Sequence, residues 1–267
     1  KAEGIKPIIG CEVYVASKSR FDKENSPDNF YYHLVLLAEN NKGYDNLIKI
    51  VSYGFKDGFY YKPRVDIELL EKYHEGIIAL SACLAGPVAR TIIRQSYDKG
   101  KEVALRYNNI FGENNFFLEL QDHMDGSVDQ QTVNQSLMRM HQETGIPLVA
   151  TNDCHYISPE DAEAHDILLC IQTNTTVDEA DRMRYEGGQY YVKSPEEMYS
   201  LFPYAHQACE NTYKIAQRCN VEFEFGNYKL PVFDVPEGKT AVEYLSELAL
   251  NGLKERYGEV TPKLKER

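Results

Sequence analysis

The chain has 267 residues, with 29 Lys and Arg against 41 Asp and Glu, a formal net charge of −12. At roughly 100–200 residues per domain this is one large domain or two small ones, and an apolar share of 43% beside a charged share of 26% belongs to a folded globular chain, not a disordered one. No apolar run approaches the roughly 18 residues of a membrane span, and the acidic balance argues against a free-standing nucleic-acid clamp, which needs a surplus of Lys and Arg to meet phosphates. The six cysteines show no CxxC spacing, which points to a reducing, cytoplasmic setting.

In chain order, Lys1-Ala2-Glu3-Gly4 reads as the last turn of a helix closed by a glycine, so the chain is expected to begin inside a domain. Apolar runs rich in β-branched and aromatic residues follow at Ile8–Ala16, Tyr31–Ala38, Gly76–Ala82, Phe116–Gln121, Pro147–Asn152 and Gln189–Lys193, and each predicts a strand. Between them lie groups at helical spacing: Leu47, Ile48, Val51 and Phe55; Val88, Ile92 and Ile93; Val103 and Ile110; Val133, Leu137 and Met140. Gly145 is a helix stop, Ser158-Pro159 a helix start, and Ser194 with Glu197 a capping box. From about residue 220 the alternation ends. Asn220–Lys239 reads as a connection, Thr240–Tyr257 as a final amphipathic helix with capping-box spacing at Thr240 and Glu243, and Pro262–Arg267 as a charged, frayed tail. The domains predicted are therefore 1–220 and 221–267.

Apolar strands that are each followed by a helix predict a mostly parallel sheet covered on both faces, either open and doubly wound or closed as a β/α barrel. Neither GxGxxG nor GxxxxGK[ST] occurs, which removes the main support for a nucleotide-binding open sheet and favours a barrel. Barrel active sites lie where strands end. The side chains expected there are Glu12, His33, Cys83, Asp122 with His123, and Asp153 with His155. Imidazole, carboxylate and one thiolate make a borderline donor set that suits Zn, Mn or Fe. In an extended segment Asp153 and His155 share a face while Cys154 points away. Singly, each has a plainer reading: His33 a buried hydrogen-bonded histidine, Glu12 a salt-bridge partner, Cys83 a small apolar residue, Asp122 and Asp153 turn or cap residues. Their coincidence across several strands favours metal. His74, His141, His165 and His206 fall in or beside helices, where packing or solvation accounts for them. Arg64 and Arg90 are candidates to hold a phosphate, with a surface ion pair as the plain alternative. Twenty tyrosines and no Trp supply rings that stack bases or simply pack.

Four stretches, Gly4–Glu12, Tyr32–Ala38, Leu80–Gly86 and Ala150–Tyr156, together with Phe59–Asp66, Met183–Tyr185 and Lys193–Met198, closely resemble the PHP (polymerase and histidinol phosphatase) domain as it occurs in the bacterial DNA polymerase III alpha subunit. The resemblance runs along essentially the whole chain. It implies a distorted β/α barrel incomplete at the N-terminus, a cluster of divalent metals, and in several members a metal-dependent 3′–5′ proofreading exonuclease. It places Glu12, His33, Cys83, Asp153 and His155 on ligand positions, and Asp122 and His123 on a common sequence without a ligand role. The family's opening His-x-His motif and second histidine motif have no counterpart in these residues, and the polymerase carboxylates are expected beyond Arg267. The implied partners are primer-template DNA, a sliding clamp and a separate proofreading subunit, in the cytoplasm and without a membrane. The alternative is a structural PHP domain that stabilises the polymerase without catalysis.

Overall fold

The computed structural model describes residues 3–228 and 230–267; Lys1 and Ala2, on which the expected helix turn depends, lie outside them. Two compact units result, one ending at Glu222 and one spanning Phe223–Arg267. In the first, β1 (Gly10–Ala16), β2 (Tyr31–Ala38), β3 (Phe59–Tyr60), β4 (Lys62–Val65), β5 (Ile77–Leu80), β6 (Phe116–Leu120) and β7 (Leu148–Ala150) form one sheet in the order β3-β4-β1-β2-β5-β6-β7. The α/β class holds, and the sheet among the described residues is open. It is mixed, not mostly parallel. β2 runs antiparallel to both β1 and β5, whereas β1–β4, β5–β6 and β6–β7 are parallel. The reason is the connection over residues 17–30, which holds no helix and so returns the chain without a crossover. The short β3–β4 hairpin was not predicted, since its strands are too brief to show periodicity.

Alternation along the strands creates two different faces. Val13, Val15, Leu34, Leu36 and Ala38 join the main core. Against them pack α1 (Asn41–Lys56), α2 (Ile67–Tyr73), α3 (Pro87–Arg94), α4 (Tyr97–Phe111) and α5 (Val128–Thr144). On the opposite face Ile78, Leu80, Phe117 and Val149 meet Ile215 of α8 (His206–Arg218) and Cys219, which caps it. The β1–β2 register sets Tyr14 opposite His33 and Glu12 opposite Val35. Because Val35 and Leu37 belong to this second face, so do Glu12, Tyr14, Tyr31 and His33.

Caps fix the helix starts. Asn40 accepts from Gly43 N at 3.0 Å, Ser96 from Lys99 N at 3.2 Å and Ser127 from Gln130 N at 3.2 Å, each worth about 1 kcal/mol. Gly145 closes α5 in the left-handed conformation, as predicted. α1 lies so close to the turn before β5 that a Cβ on Gly43 would sit 1.7 Å from Gly76 O, and Gly76 has φ +73°. After Ser158 a 3-10 turn, Pro159–Asp161, leads into α6 (Ala162–Thr173), and Ser194 caps α7 (Pro195–Leu201) with Glu197. Gln189–Lys193 is not a strand. It runs beside residues 155–157 through His155 N to Tyr190 O (2.8 Å) and Val192 N to Ile157 O (3.2 Å), too few bonds to make a ladder.

In the second unit α9 (Ala241–Tyr257) carries the expected Thr240–Glu243 capping box, and its Val242 and Leu245 are exposed. The tail expected to fray holds a short helix, α10 (Pro262–Glu266), with Thr261 accepting from Leu264 N. Among the described residues no helix is long and apolar enough to cross a membrane.

A buried ion pair anchors the edge of the first unit. Asp66 accepts from Arg20 N (2.9 Å) and Arg20 Nη1 (2.8 Å) and caps α2 through Leu69 N (3.2 Å), with both side chains under a tenth exposed. Asp66→Ala is expected to cost about 3–5 kcal/mol in urea unfolding, because it strands a buried guanidinium. Glu68→Ala, which removes a largely exposed carboxylate from the same guanidinium, should change stability by less than about 0.5 kcal/mol.

Candidate functional site

The second face of the sheet brings Glu12 of β1 and His33 of β2 together, with His33 Nδ1 2.7 Å from Glu12 Oε1. Cys83, in the turn after β5, places Sγ 4.0 Å from the same nitrogen, and His33 N donates to Ala85 O at 3.1 Å, tying that turn to β2. The Cys83 sulfur and the Glu12 carboxylate push His33 up to about 9, against the opposing effect of burial. The hydrogen bond from His33 in turn holds Glu12 below its usual range. His33 was expected at a strand's end. It lies near the start of β2, because that strand runs antiparallel to its neighbours, and both placements put it at the same edge of the sheet.

Asp153 and His155 follow β7. The expected extended pair does not form: Asp153 has φ 45°, a left-handed turn that folds the chain so that Asp153 O lies 2.6 Å from His155 Nδ1. A non-glycine residue there costs about 1 kcal/mol or more. The His155 ring lies 4.2 Å from that of Tyr185 and 5.5 Å from that of His165. Burial, then the charges of Asp153, Cys83 and Glu12, raise the pKa of the Tyr185 hydroxyl. Tyr185 and His165 were not predicted for the site. His165 looked like an ordinary helical histidine, and nothing in its own spacing shows that α6 turns it toward His155.

Beneath the site lies Glu119 of β6, fully buried. Its carboxylate accepts from Ala82 N (2.8 Å), Gln121 Nε2 (3.2 Å) and Thr151 Oγ1 (2.5 Å), while Glu119 N donates to Ser81 Oγ at 2.8 Å. It therefore links the ends of β5, β6 and β7, one residue from Cys83 and two from Asp153. Burial raises its pKa above the usual carboxylate range, with the three donors opposing. Glu119 is another residue missed, although one charge inside Phe-Phe-Leu-Glu-Leu is a signal in itself, since a fully buried Glu is rare unless hydrogen-bonded.

The remaining candidates have structural partners. Asp122 Oδ1 accepts from Met124 N at 2.9 Å, making a turn, and His123 is buried against the Tyr190 ring at 3.9 Å with Nε2 3.1 Å from Asn152 O. Arg64 is buried. Its Nε, Nη1 and Nη2 donate to Gly58 O (3.3 Å), Asn29 Oδ1 (2.6 Å) and Asp22 O (2.5 Å), so a structural role replaces the expected phosphate contact. Arg90 donates to Tyr31 O at 3.1 Å and packs 4.3 Å over the Phe30 ring, again a support for the strand and not a free cation.

Glu12, His33, Cys83, Asp153 and His155 supply the right atoms for Zn, Mn or Fe, and the fold collects them at one edge. They do not make a metal site as they stand. Among the described residues no three His, Cys, Asp or Glu side chains converge closely enough to hold an ion, and the Glu12 oxygen and His33 nitrogen closest to each other are joined by their own hydrogen bond.

Two measurements probe this arrangement. In chelator-treated protein, the His33 ring followed by NMR should titrate near pH 9 and fall toward the ordinary histidine range in Glu12→Gln. Because the folded value lies above the unfolded one, the pair's stabilisation is complete below about pH 6.5 and is lost as pH rises through 9. Glu119→Gln sets an amide NH2 against Ala82 N–H and should cost about 1–3 kcal/mol. It should also abolish the decline in stability that a raised carboxyl produces as pH climbs above about 4.

The PHP domain family model matches residues 1–123. The chain is 44% identical over 270 residues to DNA polymerase III subunit alpha of Borreliella burgdorferi, covering all of this chain and 23% of that protein. It is 42% identical to the same subunit of Thermus aquaticus, over 96% of this chain and 21% of that protein, and 43% identical to that of Treponema pallidum, over all of this chain and 23% of that protein. The chain thus spans between a fifth and a quarter of the length of the curated relatives it matches. The PHP match covers the first 123 residues, and along its whole length the chain is similar to one segment of bacterial DNA polymerase III alpha subunits.

Proposed function

We propose that this chain is the PHP-bearing segment of a replicative DNA polymerase, a nucleotidyltransferase that carries out DNA-templated DNA synthesis in the cytoplasm with its nucleotidyl-transfer site elsewhere in the polypeptide. The observation that supports this most is 44% identity along the entire chain. In this reading residues 1–220 are the PHP domain and 221–267 lead toward the polymerase domain. The partners are primer-template DNA, a sliding clamp and a proofreading subunit.

Within that polypeptide the geometry favours a structural PHP domain. Glu12 and His33 satisfy each other, Arg64 and Arg90 are committed to the scaffold, and no trio of donors converges among the described residues. A metal-dependent 3′–5′ exonuclease is the second reading. It is supported by the contacts of His33 with Glu12 and Cys83 and by the turn that sets Asp153 beside His155, and it requires the Glu12–His33 contact to open and further ligands to join.

Mass spectrometry of the natural protein tests the first claim. The expected product is roughly four to five times as long as this chain, as the 21–23% coverage implies; a mature product of this chain's length would sink it. Calorimetric titration of the 267-residue chain with Zn or Mn tests the second. No stoichiometric tight binding is expected, and an ion retained through gel filtration and lost in Asp153→Asn would favour the exonuclease.

A further inference from the structure

We propose that Tyr14, Tyr31 and Lys62 form a stacking platform for the terminal bases of single-stranded DNA at the rim of the Glu12–His33 site. The inference goes beyond the structural reading of the domain. It depends on the polymerase reading only for the choice of DNA as the strand.

The platform follows from the sheet. Glu12 and Tyr14 on β1 and Tyr31 and His33 on β2 share the second face. On β5, β6 and β7 that face is covered by α8, while Tyr14, Tyr31 and His33 stay half-buried and Glu12 exposed. The Tyr14 and Tyr31 rings meet edge to face at 4.8 Å, and Tyr31 lies parallel to the His33 ring at 6.0 Å. Lys62, exposed at the start of β4, sets its ammonium 5.6 Å above the Tyr14 ring. The Tyr31 backbone is held by Arg90, so that side of the pair is supported from beneath. Rigid rings beside a cation are what a single strand needs, since every base has a face to stack and every phosphate a charge to meet. An aliphatic partner would instead call for Leu, Ile and Met on this face. Between β1 and β2 its rim carries rings and charges.

The test uses the 267-residue chain in EDTA, so that no cleavage is involved, with a short oligodeoxythymidylate carrying 5-iododeoxyuridine at its 3′ end. Irradiation followed by peptide mapping should place the adduct on Tyr14 or Tyr31. In anisotropy titrations Tyr14→Leu should weaken binding about tenfold, the loss of one stacked base, while Tyr14→Phe keeps it within about twofold. Lys62→Ala, on an exposed side chain that does not threaten folding, should weaken binding and flatten its salt dependence. A blunt duplex of matched length should bind less tightly. An adduct confined to other residues, no binding of the single strand, or equal binding by wild type and Tyr14→Leu would overturn the platform. A natural polypeptide of full polymerase length combined with any of these outcomes would remove the platform alone and leave the polymerase reading standing.

Discussion

A single buried carboxyl group decides where the functional edge of this fold can lie. Glu119 reaches across three strands, taking hydrogen bonds from Ala82 N beyond β5 and Thr151 Oγ1 beyond β7 while its own amide is held by Ser81 Oγ. Parallel strands have no hairpin to fix where each one stops, so the ends of β5, β6 and β7 could slide relative to one another if only apolar packing held them. Glu119 removes that freedom. Both turns that leave the sheet on either side of it pass through left-handed residues, Ala82 and Asp153; the carboxylate holds Ala82 directly through its amide and anchors Thr151 two residues before Asp153.

The same edge receives β2 from the opposite direction. An antiparallel strand there means that the first residues of β2, not its last, meet the ends of its neighbours, which is how Tyr31 and His33 arrive beside Cys83. The two halves of the site thus have different supports. The Cys83 and Asp153 half depends on buried hydrogen bonds, whereas Glu12 and His33 rest on the strand pairing of β1 with β2 and on each other. The rings of Tyr185, Tyr190, His155 and His165 pack against one another beside the Asp153 turn, with Arg182 paired to Asp166 at 2.5 Å to hold the segment bearing Tyr185 against α6.

Much of this was legible in the sequence. The strand cores at 10–16, 31–38 and 116–120 read directly from β-branched and aromatic runs, and the starts of α7 and α9 from capping boxes, because these signals are local. Strand direction was not legible: nothing in Tyr31–Ala38 tells whether the chain arrives by a crossover or by a return, and the missing helix over 17–30 was the only clue. The five ligand-type residues at the sheet edge were identified by residue type, while their geometry was not, since the left-handed turn at Asp153 replaces the extended backbone that alternation assumes. Arg64 illustrates the opposite failure. A Lys-Pro-Arg run looks like a surface cation patch, yet the partners that bury Arg64, Asn29 and Asp22, come from the irregular loop between β1 and β2, where sequence periodicity carries no information.

The contact between Gly43 and Gly76 carries a consequence for how this sequence can drift. The amide that begins α1 and the carbonyl that precedes β5 lie so near that even one methyl group has no room at residue 43, and the left-handed backbone at residue 76 would strain any other side chain. Neither position can compensate for a change at the other, because both substitutions add atoms to the same gap. The pair is therefore frozen jointly, a fixed point in the heredity of the domain that owes nothing to chemistry at the site. Variation accumulating elsewhere in α1 must leave the start of that helix where it is.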